Sequence, residues 1–375
     1  MSTDPWRVRL SDTTVGEEEI AAVTDVLTSR WLSAGPVTAA FEQEFAKAMG
    51  KPDAVAVNSG TAALHLALLA LGVGPGDEVI MPALTFVAGA AMTLAVGATP
   101  VFADITAPDE LTVDPADVAA RITQRTKAIV AMHYGGYAAD MPALKAIAAR
   151  HGLALIEDSA HAPLVRHEQG MLGGLADIGC FSFYATKNLT TGEGGMLVAA
   201  DPDVAARCRA ARSHSMTTST LQRDRLGAID YDVTALGFNY RPNEITSAIG
   251  RIQLAKLPAE RAVRAALVAR YRELLSPALT LPFAQRTGLD SAHHLFPVVL
   301  PPATDRNDFR KAMREAGIQT SVHYPPTHRL SFYRGGTVLP VTDEIADRLV
   351  SLPLHARMTQ ADVDYVSEQI SGWAS

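Results

Sequence analysis

Cysteine is scarce in this chain, with only Cys180 and Cys208 among 375 residues. They form no CxxC pair and no disulfide framework, which argues against a structural zinc site and predicts a reducing, cytoplasmic setting. Long apolar runs are missing as well. The longest apolar helix candidate, ALHLALLALGVG at 63–74, is too short and too limited by glycine to span a bilayer. Residues 1–19, MSTDPWRVRLSDTTVGEEE, hold no apolar core of a signal peptide, so a soluble protein without membrane contact is expected. Positive charge is in deficit: the formal net charge is −7. That excludes a general nucleic-acid binder and leaves any anionic ligand to a local cluster of donors.

What the chain does have is apolar content, at 48% hydrophobic and 19% charged residues, enough for a large core divided over two domains. From about residue 54, short β-rich runs alternate with helical patterns: DAVAVN, a helix from Thr61 to Leu71, DEVIMP, TPVFADI, KAIVAMHY, LALIEDSA and GCFSFYA. Strands separated by helices predict a mainly parallel α/β sheet covered by helices on both faces. In such sheets ligands gather beyond the carboxyl ends of the strands, which directs attention to Asn58–Thr61, Thr85 and Phe86, His133–Tyr137, Asp158–His161 and Lys187. A long helical pattern at 245–275, interrupted or kinked by Pro258, reads as a connector. Beyond it HLFPVVLPP, a helix FRKAMREAG, IQTSVHYPP and a last helix around ADVDYVSEQI suggest a smaller α/β unit. The expected division is 1–255 for the N-terminal segment and large domain, and 256–375 for the small C-terminal domain.

Three stretches carry chemistry. NSGTAALHLAL at 58–68 opens a helix with small polar residues, which is an ordinary N-cap or an anion site built from free N–H groups and the helix dipole. It is neither a P-loop nor a GxGxxG turn. IEDSAHA at 156–162 ends a strand on two acids, which either cap the next turn or place Asp158 against a cationic ring nitrogen; His161 follows three residues on. In FSFYATKNLTTGEGGML at 181–197, Lys187 ends an apolar run. A surface lysine would extend its ammonium to water, whereas a desolvated one gains a neutral amine able to attack an aldehyde. The glycines after it leave room for a ligand, and Ser182 offers a hydroxyl to a phosphate. The spacing of Tyr184 and Lys187, with two residues between, does not match the Tyr-x-x-x-Lys of an oxidoreductase. His293 and His294, adjacent in sequence, point to opposite faces of a strand and make a poor metal pair; no metal site is expected.

Taken in order, WLSAGPVTAAFEQEFA, NSGTAALHLAL, GDEVIMPALTFVA, IEDSAHA, GCFSFYATKNLTTGEGGMLV, LGFNYRPNEITSAIGRIQLAKL and VHYPPTHRLSFY resemble the DegT/DnrJ/EryC1/StrS family of pyridoxal-phosphate sugar aminotransferases. The resemblance implies the three-layer fold type I of aspartate aminotransferase, with pyridoxal 5'-phosphate as cofactor. It makes Lys187 the Schiff-base lysine and Asp158 the partner of the pyridine nitrogen. Gly60, Thr61 and Ser182 would hold the phosphate, Phe86 would lie on the ring face, and His161 would sit beside the ring hydroxyl or ring face. Asn239 looks like the residue that reaches the neighbouring subunit's cofactor, which implies a homodimer with shared sites. His323 in VHYPP would lie near the substrate.

The implied reaction is a transamination in two halves, from an amino acid donor, by resemblance L-glutamate, to a keto-sugar, most often nucleotide-linked. A keto-cyclitol acceptor is the alternative, as are a sugar dehydratase, against which Lys187 argues because histidine replaces it in such relatives, and a non-catalytic regulator. WLSAGP, which contains Gly35, and the stretch 212–232 are expected to line or border the acceptor pocket. Arg212, Arg241 and Arg329 are candidates for holding a diphosphate or a donor carboxylate.

Overall fold

The computed structural model describes residues 5–218, 230–286 and 291–374. Two amphipathic helices come first, α1 (Glu17–Ser29) and α2 (Pro36–Met49). The strands follow as β1 (Val55–Val57), β2 (Glu78–Pro82), β3 (Thr99–Ala103), β4 (Ile105–Ala107), β5 (Glu110–Val113), β6 (Thr126–Met132), β7 (Ala154–Asp158), β8 (Arg166–His167), β9 (Gly170–Met171), β10 (Ile178–Ser182) and β11 (Gly195–Ala199). Seven of them make one sheet in the order β1-β11-β10-β7-β6-β2-β3. The pairs β10–β7, β7–β6, β6–β2 and β2–β3 are parallel, as the alternation of strands and helices predicts. The exception is β11, antiparallel to both neighbours. It is short and follows two glycines, so its apolar run shows no alternation to announce it.

The central strands read as continuous apolar runs because both of their faces are covered. Val79 and Met81 of β2 join one cluster with Val130, Ile156 and the helix α3 (Gly60–Ala70). Ile80, Ile129 and Leu155, one residue out of phase, join a second cluster with Met141, Leu144 and Ala148 of the helix Met141–His151. The period of two in strand side chains thus distributes one sequence run over two layers.

The helix Glu244–Leu274 runs for 31 residues with Pro258 inside it. The expected interruption at Pro258 is absent: the ring removes one N–H donor, while Leu254, Leu257, Leu267 and Val268 are buried on either side of it. The expected division after residue 255 therefore falls within a continuous helix. Its second half packs into a cluster with Phe296, Val298, Phe309, Val350 and also Val8. There β12 (Phe296–Val299) pairs antiparallel with β13 (Leu349–Leu352), not with IQTSVHYPP. That segment instead crosses between the two sheets: Ser321 bridges Ser351, while the Thr327 N–H donates to the Ala83 carbonyl at 2.8 Å.

At the carboxyl end of the large sheet, His133 and Glu157 are both fully buried, with His133 Nε2 2.9 Å from Glu157 Oε2. Glu157 also accepts from the N–H groups of Gly173 (2.7 Å), Leu175 (2.6 Å) and Ala176 (2.8 Å). Burial alone raises its pKa, but the hydrogen bond and charge of His133, with the backbone donors, outweigh burial and leave it lowered. A carboxylate of lowered pKa stabilises the fold fully above its unfolded pKa, and that contribution fades as pH falls through the folded value. Replacement Glu157→Ala is expected to cost about 3–5 kcal/mol, read by urea unfolding at neutral pH, with the difference from the parent shrinking in acid. An unchanged midpoint contradicts the structural role.

Candidate active site

The start of α3 is the first wall of the site. Ser59 caps it: its Oγ accepts from the Ala62 N–H at 3.0 Å, and its carbonyl takes the Ala63 N–H at 3.1 Å. The N–H groups of Gly60 and Thr61, in the first helical turn, have no acceptor within their own helix and sit at its positive end. A Cβ on Gly60 would stand 2.8 Å from Ser182 Cβ, and one on Gly195 would stand 2.6 Å from the Ser59 carbonyl. The two glycines let the helix start lie directly against the ends of β10 and β11. The result is a cradle for a phosphate, with backbone donors on one side and the Ser182 hydroxyl on the other.

The adjacent acids of β7 separate by strand alternation. Glu157 turns toward His133, as described, while Asp158 lines a cavity of about 490 Å³ together with Gly60, Thr61, Ser182 and Lys187. Asp158 Oδ1 accepts from the Ala160 N–H at 3.1 Å, so the capping role and the ligand-facing role coexist. Burial raises the pKa of Asp158, against the Ala160 hydrogen bond and the charge of Lys187. Burial also depresses Lys187, to about 8, with the charge of Asp158 acting in the opposite direction. An amine near neutrality is a usable nucleophile and proton carrier.

Phe86 lines the cavity and is 54% exposed, so it is not a core residue. Its ring lies 5.8 Å from that of Tyr324. Behind it, His161 is buried, and its Nδ1 accepts from the Gly135 N–H at 3.3 Å. The ring proton therefore sits on Nε2, 2.9 Å from the Tyr324 hydroxyl. Burial and the nearby Lys187 push the His161 pKa well down, so the ring is neutral. His323 lines the same cavity, and its Nδ1 is 2.9 Å from Ser351 Oγ; burial and Lys187 lower its pKa to about 4. The lining also includes Tyr184, Thr186, Glu193 and Tyr324. The sequence reading assigned none of these four to the site, weighing Tyr184 only against the oxidoreductase pattern, although Tyr324 adjoins His323 and Glu193 lies in the TGEGG run.

Four of the expected substrate groups are not brought to this cavity by their own chain. Gly35 is the N-cap of α2, its N–H given to Glu244 Oε1 at 2.9 Å; a Cβ there would strike the Trp31 indole, so a glycine is required by the packing at this position. Arg212 is spent inside the fold, on Glu42 at 2.5 Å and the Ala56 carbonyl at 2.6 Å. Arg329 is paired with Asp343 at 2.6 Å and Asp347 at 3.1 Å. Arg241 donates to Ser213 Oγ at 3.0 Å. Asn239 is exposed outside the cavity, its carbonyl accepting from Asn58 Nδ2 at 3.4 Å. Residues 219–229 of the expected pocket border lie outside the described residues.

The cradle at α3 suits a phosphate, Asp158 suits a protonated ring nitrogen, and Lys187 suits an aldehyde carbon, so the donor set fits pyridoxal phosphate. Comparison with known proteins agrees. The chain is 41% identical over 370 residues to the spore coat polysaccharide biosynthesis protein SpsC of Bacillus subtilis, covering 95% of this chain and 94% of that one. It superposes on the aminotransferase TlmJ from Streptoalloteichus hindustanus with a TM-score of 0.92 and 35% identity, over 98% and 99% of the two chains. The PLP form of Spr1654 from Streptococcus pneumoniae matches with a TM-score of 0.90 and 30% identity, over 97% of each chain. Residues 13–371 match the DegT/DnrJ/EryC1/StrS aminotransferase family. With its fold type I architecture, the chain belongs to this family of pyridoxal-phosphate-dependent sugar aminotransferases.

Proposed function

We propose that the enzyme moves the amino group of L-glutamate to a nucleotide-linked keto-sugar. Lys187 acts as the covalent anchor and proton carrier, and Asp158, Gly60, Thr61, Ser182, Phe86 and His161 hold the cofactor. The observation that carries this reading is that Lys187 and Asp158 line one cavity, each desolvated and each acting on the other's charge, with a helix N-terminus in the same lining. Similarity to SpsC, named for polysaccharide biosynthesis, supports a sugar acceptor over a cyclitol.

Bound there, pyridoxal phosphate supplies an aldehyde that takes up an amine and a ring that withdraws electrons from the adjoining carbon. The protein supplies the rest. The carboxylate of Asp158 keeps the ring nitrogen protonated. The Lys187 Nζ would anchor the cofactor and, as a free amine, would be the base for the proton on the donor α-carbon. Phe86 and the neutral His161 confine the ring without adding charge, and His323 and Tyr324 meet the substrate at the mouth. The α3 N-terminus anchors the phosphate end, so that the reacting atoms stay within reach of one amine.

The homodimer is part of the proposal. Asn239 is exposed, as is Leu236 at 78%, which supports a role for this surface across a subunit boundary. The cytoplasmic assignment is supported by two buried, free cysteines.

The variant Lys187→Ala is expected to lose about 10³-fold or more in turnover while its thermal unfolding stays near the parent's, by a coupled 2-oxoglutarate assay and calorimetry. Residual turnover near the parent level excludes the lysine. The rate at which apoenzyme takes up pyridoxal phosphate should rise with pH through a midpoint near 8 and level off above it, because only the neutral amine attacks and burial lowers its pKa to about 8. In Asp158→Asn the midpoint should move lower still, since the lost charge had favoured the ammonium. A rate still climbing at pH 10 contradicts the burial argument. Mixing inactive Lys187→Ala with Asn239→Ala should restore about one quarter of parental activity through mixed dimers carrying one intact site; no gain over the separate variants rules out the shared site.

A further inference from the structure

The reaction assigned above uses neither ring of the adjacent pair His293 and His294. Yet His294 is buried, its ring 4.3 Å from that of His161. The link to the lysine is Asn188, the next residue and itself buried. Asn188 Nδ2 donates to the Ala292 carbonyl at 2.6 Å. A carbonyl can only accept, so this bond fixes which way the amide points. Asn188 Oδ1 therefore faces His294 Nδ1 at 2.9 Å, and His294 must donate from Nδ1. Burial, with Lys187, Arg264 and His323 nearby, holds the ring neutral, so its single proton is committed to Asn188.

The segment that carries His294 is itself fixed. The Ser291 hydroxyl donates to the Gly136 carbonyl at 3.0 Å. The Ala292 N–H donates to the same carbonyl at 3.2 Å, and the His294 N–H to the Gly135 carbonyl at 2.9 Å. Gly136 has φ +96, and a Cβ on it would meet Ala292 Cβ at 2.9 Å, so only glycine permits this contact. The turn that orients His161 through the Gly135 N–H thus also seats the support of Asn188. On its own loop, the Lys187 N–H donates to the Tyr184 carbonyl at 2.9 Å. The clamp on the next residue comes from a segment more than a hundred residues later in the chain.

We infer that His294 is a positioning residue for Lys187: through the Nδ1–H bond to Asn188 it fixes the loop from which the amine reaches both the cofactor and the donor α-carbon. The inference rests on the proposed role of Lys187. Its consequence is kinetic, because misplacing a reacting group by about 1 Å costs on the order of 10²-fold in rate, while cofactor binding depends on the α3 cradle at the other end of the cavity.

The test uses three variants of the holoenzyme. His294→Asn keeps an amide N–H where Nδ1 stood, His294→Gln moves its amide to the place of Nε2, and His294→Leu has no donor. The readout is the single-turnover rate at which L-glutamate bleaches the cofactor absorbance, with cofactor content and thermal midpoint measured beside it. The expected pattern is His294→Asn within about threefold of the parent, and His294→Gln and His294→Leu slower by about tenfold or more at equal cofactor content. Equal rates in all three, or His294→Asn as slow as His294→Leu, overturns the inference. If His294→Leu does not fold, the contrast between asparagine and glutamine decides alone. Lys187→Ala, run in parallel, separates the two ideas: its retained bleaching would remove the lysine reading and this inference with it, whereas an inert Lys187→Ala beside three normal His294 variants removes only the brace.

Discussion

The site depends on removing one opposite-charge pair from water. Lys187 and Asp158 share a cavity in which each is desolvated; the charge of Asp158 is what opposes burial at Lys187, and at Asp158 the Ala160 N–H does so first, with the charge of Lys187 adding to it. Desolvation acts against both charges, drawing the amine toward neutrality and the carboxyl toward protonation, while their mutual attraction restrains both shifts. The balance leaves an amine that titrates near 8, where nucleophile and proton carrier are both accessible. The surrounding imidazoles respect that balance: His161, His294 and His323 all have lowered pKa values, so they add shape and hydrogen bonds without adding a competing cation.

That arrangement is possible because the fold brings distant pieces of chain to one edge of a parallel sheet. Asp158 ends β7 and Ser182 ends β10, next to it in the sheet. The segment 321–329 delivers His323 and Tyr324 from the far side, tied to both sheets through Ser351 and Ala83. Glu157, one residue before Asp158, faces the opposite way and is saturated by His133 and three backbone donors. The strand is thereby held in register while its last carboxylate is left to the ligand. Structural and functional acids differ here only in which side of the pleat they occupy.

Much of this was legible in the sequence because it lies in local runs. Helix α3, the parallel strands and the residues that follow them could be read from periodicity, and Gly60, Thr61, Phe86, Asp158, His161, Ser182, Lys187 and His323 line one cavity. What was not legible depends on tertiary pairing. Strand β11 runs against its neighbours, a direction that no composition encodes. The arginines 212 and 329 look like phosphate ligands until Glu42 and Asp343 are seen beside them. Pro258 reads as a break until packing on both sides carries the helix through it. His294 meets Asn188 across 106 positions of sequence, a separation at which no motif reports a contact.

The most direct measurement is borohydride reduction of the holoenzyme followed by peptide mapping, which fixes the cofactor to whichever amine holds it. The label is expected on the peptide that contains Lys187, and Asp158→Asn should slow labelling of that same peptide without moving it elsewhere. A label on any other lysine, or none on a protein that has bound the cofactor, contradicts the assignment.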